Sequence, residues 1–510
     1  MIPPLFAILS FPVAVATLFA RFTVTKALIL SLILGYLFLP HGQGLDLPLL
    51  PSINKDVMPA LAAFLALTMV NKKRLQGAHM LPGWIPRSIL VITLLGLLVV
   101  SAAGTVLTNS EPLVFTLRTI PGLKSYDIGS ILAALGLTLL PLLLARRYLG
   151  HPDTHTLLLT VLVGSALFYS LLALFEVRMS PQINITVYGY FQHVWSQHVR
   201  GGGFRPIVFL QHGLWVSLFL GMSILAACAL VRDLEASQRS KYLLAAAWLL
   251  GTLVLTKSLG ALIIALLFAP IILLLNPRLQ LTIALVVATI AVTYPLLRGA
   301  GYIPIQWISD TAHSIDPDRA ASLSTRLFNE DLLLERAQQK PLFGWGTWGR
   351  NLIYNHEGFT QTITDGYWII IISQWGWLGY IGIFGLLSSS LLGLVRHARS
   401  YAISPATAGL AILLAANMID MIPNATETPL TWILAGALLG RQEHGRIEED
   451  IESDVDDLAQ AGPRGMNYSR FPTRPRATRT RNPARKSTSS PTTGSETPFQ
   501  SHILSEIDNA

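Results

Sequence analysis

The chain has 510 residues, of which 52% are hydrophobic and 13% charged, and its mean hydropathy is +0.51. A soluble domain carries about a quarter charged residues, so this balance excludes an ordinary soluble protein and predicts an all-α, polytopic membrane bundle. The net charge of +8 belongs to short loops that orient helices, which leaves no case for a nucleic-acid partner.

Cys228 is the single cysteine, set in an apolar run, so no internal disulfide is possible. The opening MIPPLFAILSFPVAVATLFAR has no basic segment ahead of its apolar part and reads as a retained first helix. A span needs roughly 20 apolar residues. Candidate spans lie near 3–20, 24–39, 57–70, 88–107, 127–145, 156–175, 208–231, 241–256, 258–275, 281–297, 367–395, 405–420 and 429–440. This predicts about 12 to 13 helices within a membrane domain covering 1–440.

Arg21/Lys26, Lys72 to Arg74, Arg146/Arg147, Arg232 to Lys241, Arg278 and Arg396/Arg399 fall in alternate loops. Thirteen spans put all six loops, and the C-terminal tail, on the cytoplasmic side. Segments 40–56, 108–126, 176–207, 298–366 and 421–428 then face outward. The largest, 298–366, is expected to hold an interfacial helix capped by Ser322, with Leu323, Leu327 and Leu334 on one side and Pro341 ending it. Arg326 and Glu330 stand i,i+4 on it, as a surface ion pair would. The tail 441–510 has 10 Lys/Arg against 11 Asp/Glu and few apolar residues. It is expected to be disordered, with its basic part able to rest on anionic lipid.

Chemically varied residues gather in the outward loops, where function usually sits. Between the sixth and seventh spans come Glu176, Arg178, His193, His198, Arg200-Gly-Gly-Gly-Phe204-Arg205 and Gln211-His212-Gly213. Guanidinium forks suit phosphate oxygens, and a Gly triplet lets backbone N–H groups approach an anion. Interfacial snorkelling explains the same residues structurally. A helix starting at Pro206 would put Arg205 and His212 on one face. The histidine spacings match no standard zinc pattern, and no metal or cofactor is expected.

Lys257, in the turn Thr256-Lys257-Ser258-Leu259-Gly260, fits either an interface anchor or a neutraliser of diphosphate. Gly344-Trp345-Gly346-Thr347-Trp348-Gly349-Arg350 offers indole faces for sugar and one guanidinium, or simply a Gly/Trp turn. Asp365, just before YWIIII, fits a helix cap or a base. Asn417, Asp420, Asn424 and Glu427 at the last outward turn receive no role. There is no P-loop, GxGxxG, GxSxG or HExxH. With short cytoplasmic loops, any enzyme here takes an activated substrate from the membrane.

Lys340-Pro341-Leu342-Phe343-Gly344-Trp345-Gly346 resembles the proline–glycine signature of the O-antigen ligase and polymerase-like family. Gly376-Trp377-Leu378-Gly379 resembles its later glycine step, Arg205 with Phe209 to Gly213 its arginine before a helix start, and Thr256 to Ala261 its Ser-Arg-Gly-Ala turn. The likeness covers roughly 170–395. Asp365-Gly366 stands where the family has His-Asn, and Leu259 where it has Arg, which marks a divergent member. The resemblance implies a glycan ligase or polymerase of the bacterial inner (plasma) membrane, in polysaccharide biosynthesis for the cell envelope. Its donor would be a glycan on undecaprenyl diphosphate, its acceptor a glycan or lipid hydroxyl, and its partners otherwise membrane lipids. Arg205, His212 and Asp365 are the expected catalytic residues. Arg178, Lys257, Arg326 and Arg350 are expected to contact substrate, with Trp345 and Trp348 as sugar platforms. The alternative is a transporter or flippase of lipid-linked or amphiphilic substrates, which would carry paired ionisable residues deep inside its spans.

Overall fold

The computed structural model describes residues 1–460 other than 48, 49, 77, 201, 316 and 401. The chain divides into two compact units, Met1–Val455 and Asp456–Ala510, and the architecture below is that of the first.

It is an all-α membrane bundle. In chain order the helices are α1 (Pro4–Arg21), α2 (Val24–Phe38), α3 (Met58–Met69), α4 (Lys72–Gln76), α5 (Ile89–Leu107), α6 (Ser125–Tyr148), α7 (Pro152–Met179), α8 (Ile183–Tyr188) and α9 (Gly213–Asp233). They continue with α10 (Ala236–Leu255), α11 (Leu259–Leu274), α12 (Pro277–Gly299), α13 (Ile305–Ile315), α14 (Pro317–Gln338), α15 (Tyr367–Arg396), α16 (Pro405–Asp420) and α17 (Pro429–Gln460). Every expected span is a helix. Seven, α1, α5, α6, α7, α9, α12 and α15, are long and apolar enough to cross a membrane, and α2, α3, α11 and α16 are apolar but shorter. The protein is therefore a multi-pass membrane protein.

The only strands among the described residues are three two-residue hairpins, β1–β2 (Gly44–Leu45, Ile53–Asn54), β3–β4 (Leu113–Val114, Thr119–Ile120) and β5–β6 (Val199–Arg200, Gly203–Phe204). All three lie in the segments 40–56, 108–126 and 176–207.

Helix α9 is the central column, buried along nearly its whole length and packed by α7, α10, α11 and α16. Small residues set that packing: a Cβ on Gly409 would fall 2.4 Å from the Ala229 methyl. Without a hydrophobic drive between helices in lipid, such close approach supplies dispersion energy instead. Helix starts are specified locally. Asn276 accepts from Leu279 N at 2.9 Å to cap α12, and Ser404 accepts from Thr407 N at 3.1 Å to cap α16.

Loop contacts sort to two ends. Tyr190 reaches the His41 carbonyl, Lys55 the Phe209 carbonyl, Thr116 the His356 carbonyl and Arg326 the Asn424 amide, which gathers these connections together. At the opposite end Arg146 pairs with Glu443, and Asp233 accepts from Thr156 and Ala406.

Two boundaries differ from expectation. The last helix does not stop at 440 but continues to Gln460, because Arg441, Gln442 and Glu443 are buried. The remaining tail, 461–510, lies outside the described residues. Helix α14 opens at Pro317, whose fixed φ suits a first helical turn, so Ser322 sits inside it and is exposed. Its buried stripe is Asn329, Glu330, Leu333 and Ala337, while Leu323, Leu327 and Leu334 are half-buried beside it.

Candidate functional site

The site begins with the connection from α7 to α9. Glu176, buried in the last turns of α7, accepts from Ile183 N at 3.0 Å, Ile207 N at 2.8 Å and Val208 N at 2.7 Å. That carboxylate ties down the strand-like approach to α9, where Val208 sits at φ 52. Arg205 N donates to His198 O at 2.8 Å, and His198 Nδ1 lies 3.3 Å from Arg205 O. The guanidinium then turns inward. Its Nη2 donates to Ser258 Oγ at 2.5 Å, and its stem lies so close over Gly213 that a Cβ there would come within 2.8 Å. Segment 206–212 is therefore not helical, and Arg205 and His212 meet by a turn, not by sharing a helix face.

Lys257, at φ 59 between α10 and α11, brings Nζ over Gly203, where an added Cβ would fall 2.6 Å away. Ser258 thus has Arg205 on it and Lys257 beside it. From α14, Arg326 donates to Pro423 O at 3.0 Å and Asn424 Oδ1 at 2.9 Å, and its Nε stands 3.8 Å from Asp365 Oδ2. Asp420 accepts from Thr426 at 2.6 Å and Asn424 at 3.1 Å, within electrostatic range of both Arg326 and Arg205. Arg205, Lys257, His212, Arg326 and Asp365 converge on one end of the bundle.

His212 caps α9, its Nδ1 accepting from Leu214 N at 3.1 Å. Burial, then the charge of Arg205, pushes its imidazolium pKa down to about 2, and burial holds His198 at about 4. Both are neutral near pH 7. A ring so reluctant to take a proton is a poor general base, which leaves His212 better suited to orienting a hydroxyl than to activating one. Its role here is to cap the helix and to present a neutral N–H.

His193, His198 and His212 each bring a ring nitrogen within 4.8 Å of the others. Nε2 of His198 and Nδ1 of His193 are buried without a hydrogen-bond partner. Zinc at 2.0–2.1 Å from each would draw the nitrogens to roughly 3.3 Å of one another. His212 Nδ1 is committed to its amide, and the charges of Arg205 and Arg326 next to it oppose a dication. The surroundings suit an anion better.

Two confluent cavities lie near this cluster, reached from it through Trp215, and none of the five side chains lines either. The larger, about 560 Å³, is lined mostly by apolar groups of α5, α6 and α15, with Trp348 among them. The other, about 450 Å³, is the more polar of the two and includes Lys55, Asp56, Gln211 and Glu427. They share Pro51, Ser52 and Tyr367. Trp215 of the polar cavity stands 6.3 Å, ring to ring, from His212. Sequence reasoning missed Lys55 and Asp56 entirely. The one signal was a charged pair directly ahead of an apolar run.

Other expected site residues lie elsewhere. Arg178 is exposed, because two residues turn a helix by about 200° and Glu176 takes the inward position. Arg350 is 1% exposed and spends its guanidinium on the carbonyls of Trp345, Pro121 and Glu111, at 3.3, 2.7 and 2.9 Å, so it is a loop staple. Trp345 is covered by Arg336, 3.3 Å above its ring, and by Lys340 at 4.7 Å. Trp348, 58% exposed at the apolar cavity, keeps a free face. Gly366, not Asp365, is the N-cap of α15, with no side-chain cap. Arg326 faces Asp365 and the 423–424 turn, while Glu330 accepts from Trp368 Nε1 at 3.4 Å.

The two glycine motifs meet. Helix α15 breaks at Gly376, φ 64, and the segment 341–346 docks into the break. Trp345 N donates to Ser373 O, Gly346 N to Gln374 O, Trp377 N to Pro341 O and Leu378 N to Leu342 O, at 2.8, 2.9, 2.8 and 3.3 Å. Backbone groups freed by a break in a membrane helix must be satisfied by protein, and this segment does so.

No protein-family model matches the chain, and no curated protein matches it in sequence.

Proposed function

We propose that this protein is a glycosyltransferase that moves a glycan from undecaprenyl diphosphate to a hydroxyl of a glycan or lipid acceptor, at the periplasmic face of a bacterial inner membrane. The observation that carries the reading is the convergence of Arg205, Lys257 and Arg326 with neutral His212 near a cavity that is apolar on one side and more polar on the other. A lipid-linked diphosphate has that same division. As the bond to the sugar breaks, the diphosphate gains negative charge, which guanidinium and ammonium groups stabilise in place of a metal. Removing one such donor costs roughly 10²- to 10³-fold in rate. Asp365, held at the rim by Arg326, orients the incoming group. Arginine and lysine in the loops opposite this site support a cytoplasmic C-terminus.

The test uses the purified protein in nanodiscs with an undecaprenyl-diphosphate oligosaccharide and follows chain extension or transfer. Arg205→Ala is expected to slow product formation by at least about 10²-fold. Full activity in both Arg205→Ala and Asp365→Asn overturns the assignment. So does lipid-linked substrate flux in liposomes without any covalent product, which is the transporter's signature.

A further inference from the structure

The polar cavity is built from segments far apart in the chain: Asn54 and Asp56 before α3, Gln211 and Trp215 at the start of α9, and Glu427 and Trp432 at the start of α17. Its volume of about 450 Å³ falls within the roughly 300–1,000 Å³ of small-molecule sites. Asp56 is exposed and lines it, Glu427 is half-buried, and Glu427 feels the charge of Asp56. Glu427 Oε1 accepts from the Trp432 indole, which fixes the carboxylate. Lys55 is tied by Nζ to Phe209 O at 2.8 Å. Carboxylates and amides beside flat indoles suit a ring ligand with many hydroxyls, since hydroxyls need acceptors and the C–H faces need a platform. The location fits as well, with Trp215 leading to His212 and the cation cluster, and Tyr367 to the apolar cavity.

We infer that this cavity is the acceptor saccharide subsite and that Glu427 takes the acceptor's hydroxyl proton. The inference rests on the transferase reading. In the step, the acceptor oxygen bonds to the anomeric carbon while the bond from that carbon to the diphosphate oxygen breaks. The electron pair leaves with the diphosphate, and the hydroxyl proton passes to the Glu427 carboxylate. His212 is too weak a base for this, and Asp365 is engaged by Arg326. Burial, reinforced by the charge of Asp56 and opposed by the Trp432 bond, pushes the Glu427 pKa up to about 7. That is well placed for a general base near neutrality. The titratable groups facing it are Asp56 and Lys55 before α3, Tyr36 and His41 at the end of α2, and Tyr367 of α15.

The experiment measures kcat and donor KM against pH for the full chain in nanodiscs, with an undecaprenyl-diphosphate oligosaccharide as donor. Wild type is expected to lose rate on the acid side of about pH 7. Glu427→Gln should lower kcat by about 10²- to 10⁴-fold, leave donor KM unchanged and remove that limb. Asp56→Asn removes a negative neighbour, so the limb should move to lower pH, an effect that a structural role would not produce. Turnover within threefold of wild type in Glu427→Gln, with the limb intact, overturns this inference and leaves the transferase reading standing. Should Glu427→Gln fail to fold, an unmoved limb in Asp56→Asn overturns it instead. A wild type that forms no product sinks both.

Discussion

Replacing Gly376 by alanine tests the joint at the break in α15. At φ 64 and ψ −168 the residue occupies a region open in practice only to glycine, and an L-residue there costs about 1–3 kcal/mol. The added Cβ would also lie 2.4 Å from Leu342 C and O and 2.5 Å from Phe343 N, which are backbone atoms that cannot swing aside. Separating them strains the bonds from Trp377 N to Pro341 O and from Leu378 N to Leu342 O. At about 1 kcal/mol net for each bond, the total loss comes to about 3–5 kcal/mol. The assay is the midpoint of thermal unfolding in detergent, set against Gly251→Ala. That control lies on an exposed face of α10, where an added Cβ meets nothing within 4 Å. It should match wild type or exceed it slightly, since alanine favours a helix. A Gly376→Ala midpoint equal to that of the control would refute the account of the joint.

Arg178→Ala should leave transfer within about twofold of wild type, whereas Arg205→Ala should lose at least about 10²-fold; equal losses would restore Arg178 to the site. Arg350→Ala strands three loop carbonyls at up to roughly 1–3 kcal/mol each, so limited proteolysis should cut near Glu111 to Pro121 faster, and an unchanged pattern counts against the staple. Burial pushes Glu330 up to about 7. Its folded-state value lies above the unfolded one, so its contribution to stability is full below the ordinary glutamate range and is lost as pH rises through about 7. The unfolding midpoint should therefore fall as pH rises from about 4.5 to about 7 and level off above it, and Glu330→Gln should flatten that slope.

The bundle was legible because lipid demands long apolar helices, and each of the thirteen apolar runs became one. The site was legible only where a residue sits in a short, constrained turn. Arg205 beside Gly213 and Lys257 between two helices are such cases. Arg178 misled because two steps of helix separate an inward position from an outward one. Arg350 and Trp345 misled because loop 339–366 has no period from which facing could be read, and their partners are carbonyls that composition cannot reveal. Asp56 went unnoticed and Glu427 was given no role because only the fold brings segments 40–56 and 421–428 together.

The buried pair of Arg146 with Glu443, 2.5 Å apart, decides where this protein can be shortened. Cutting the chain after the last apolar residue would strip a guanidinium of its counter-charge in a dry interior, a loss of about 3–5 kcal/mol. Trimmed versions for imaging or crystallisation should therefore retain Glu443, and an affinity handle belongs beyond it.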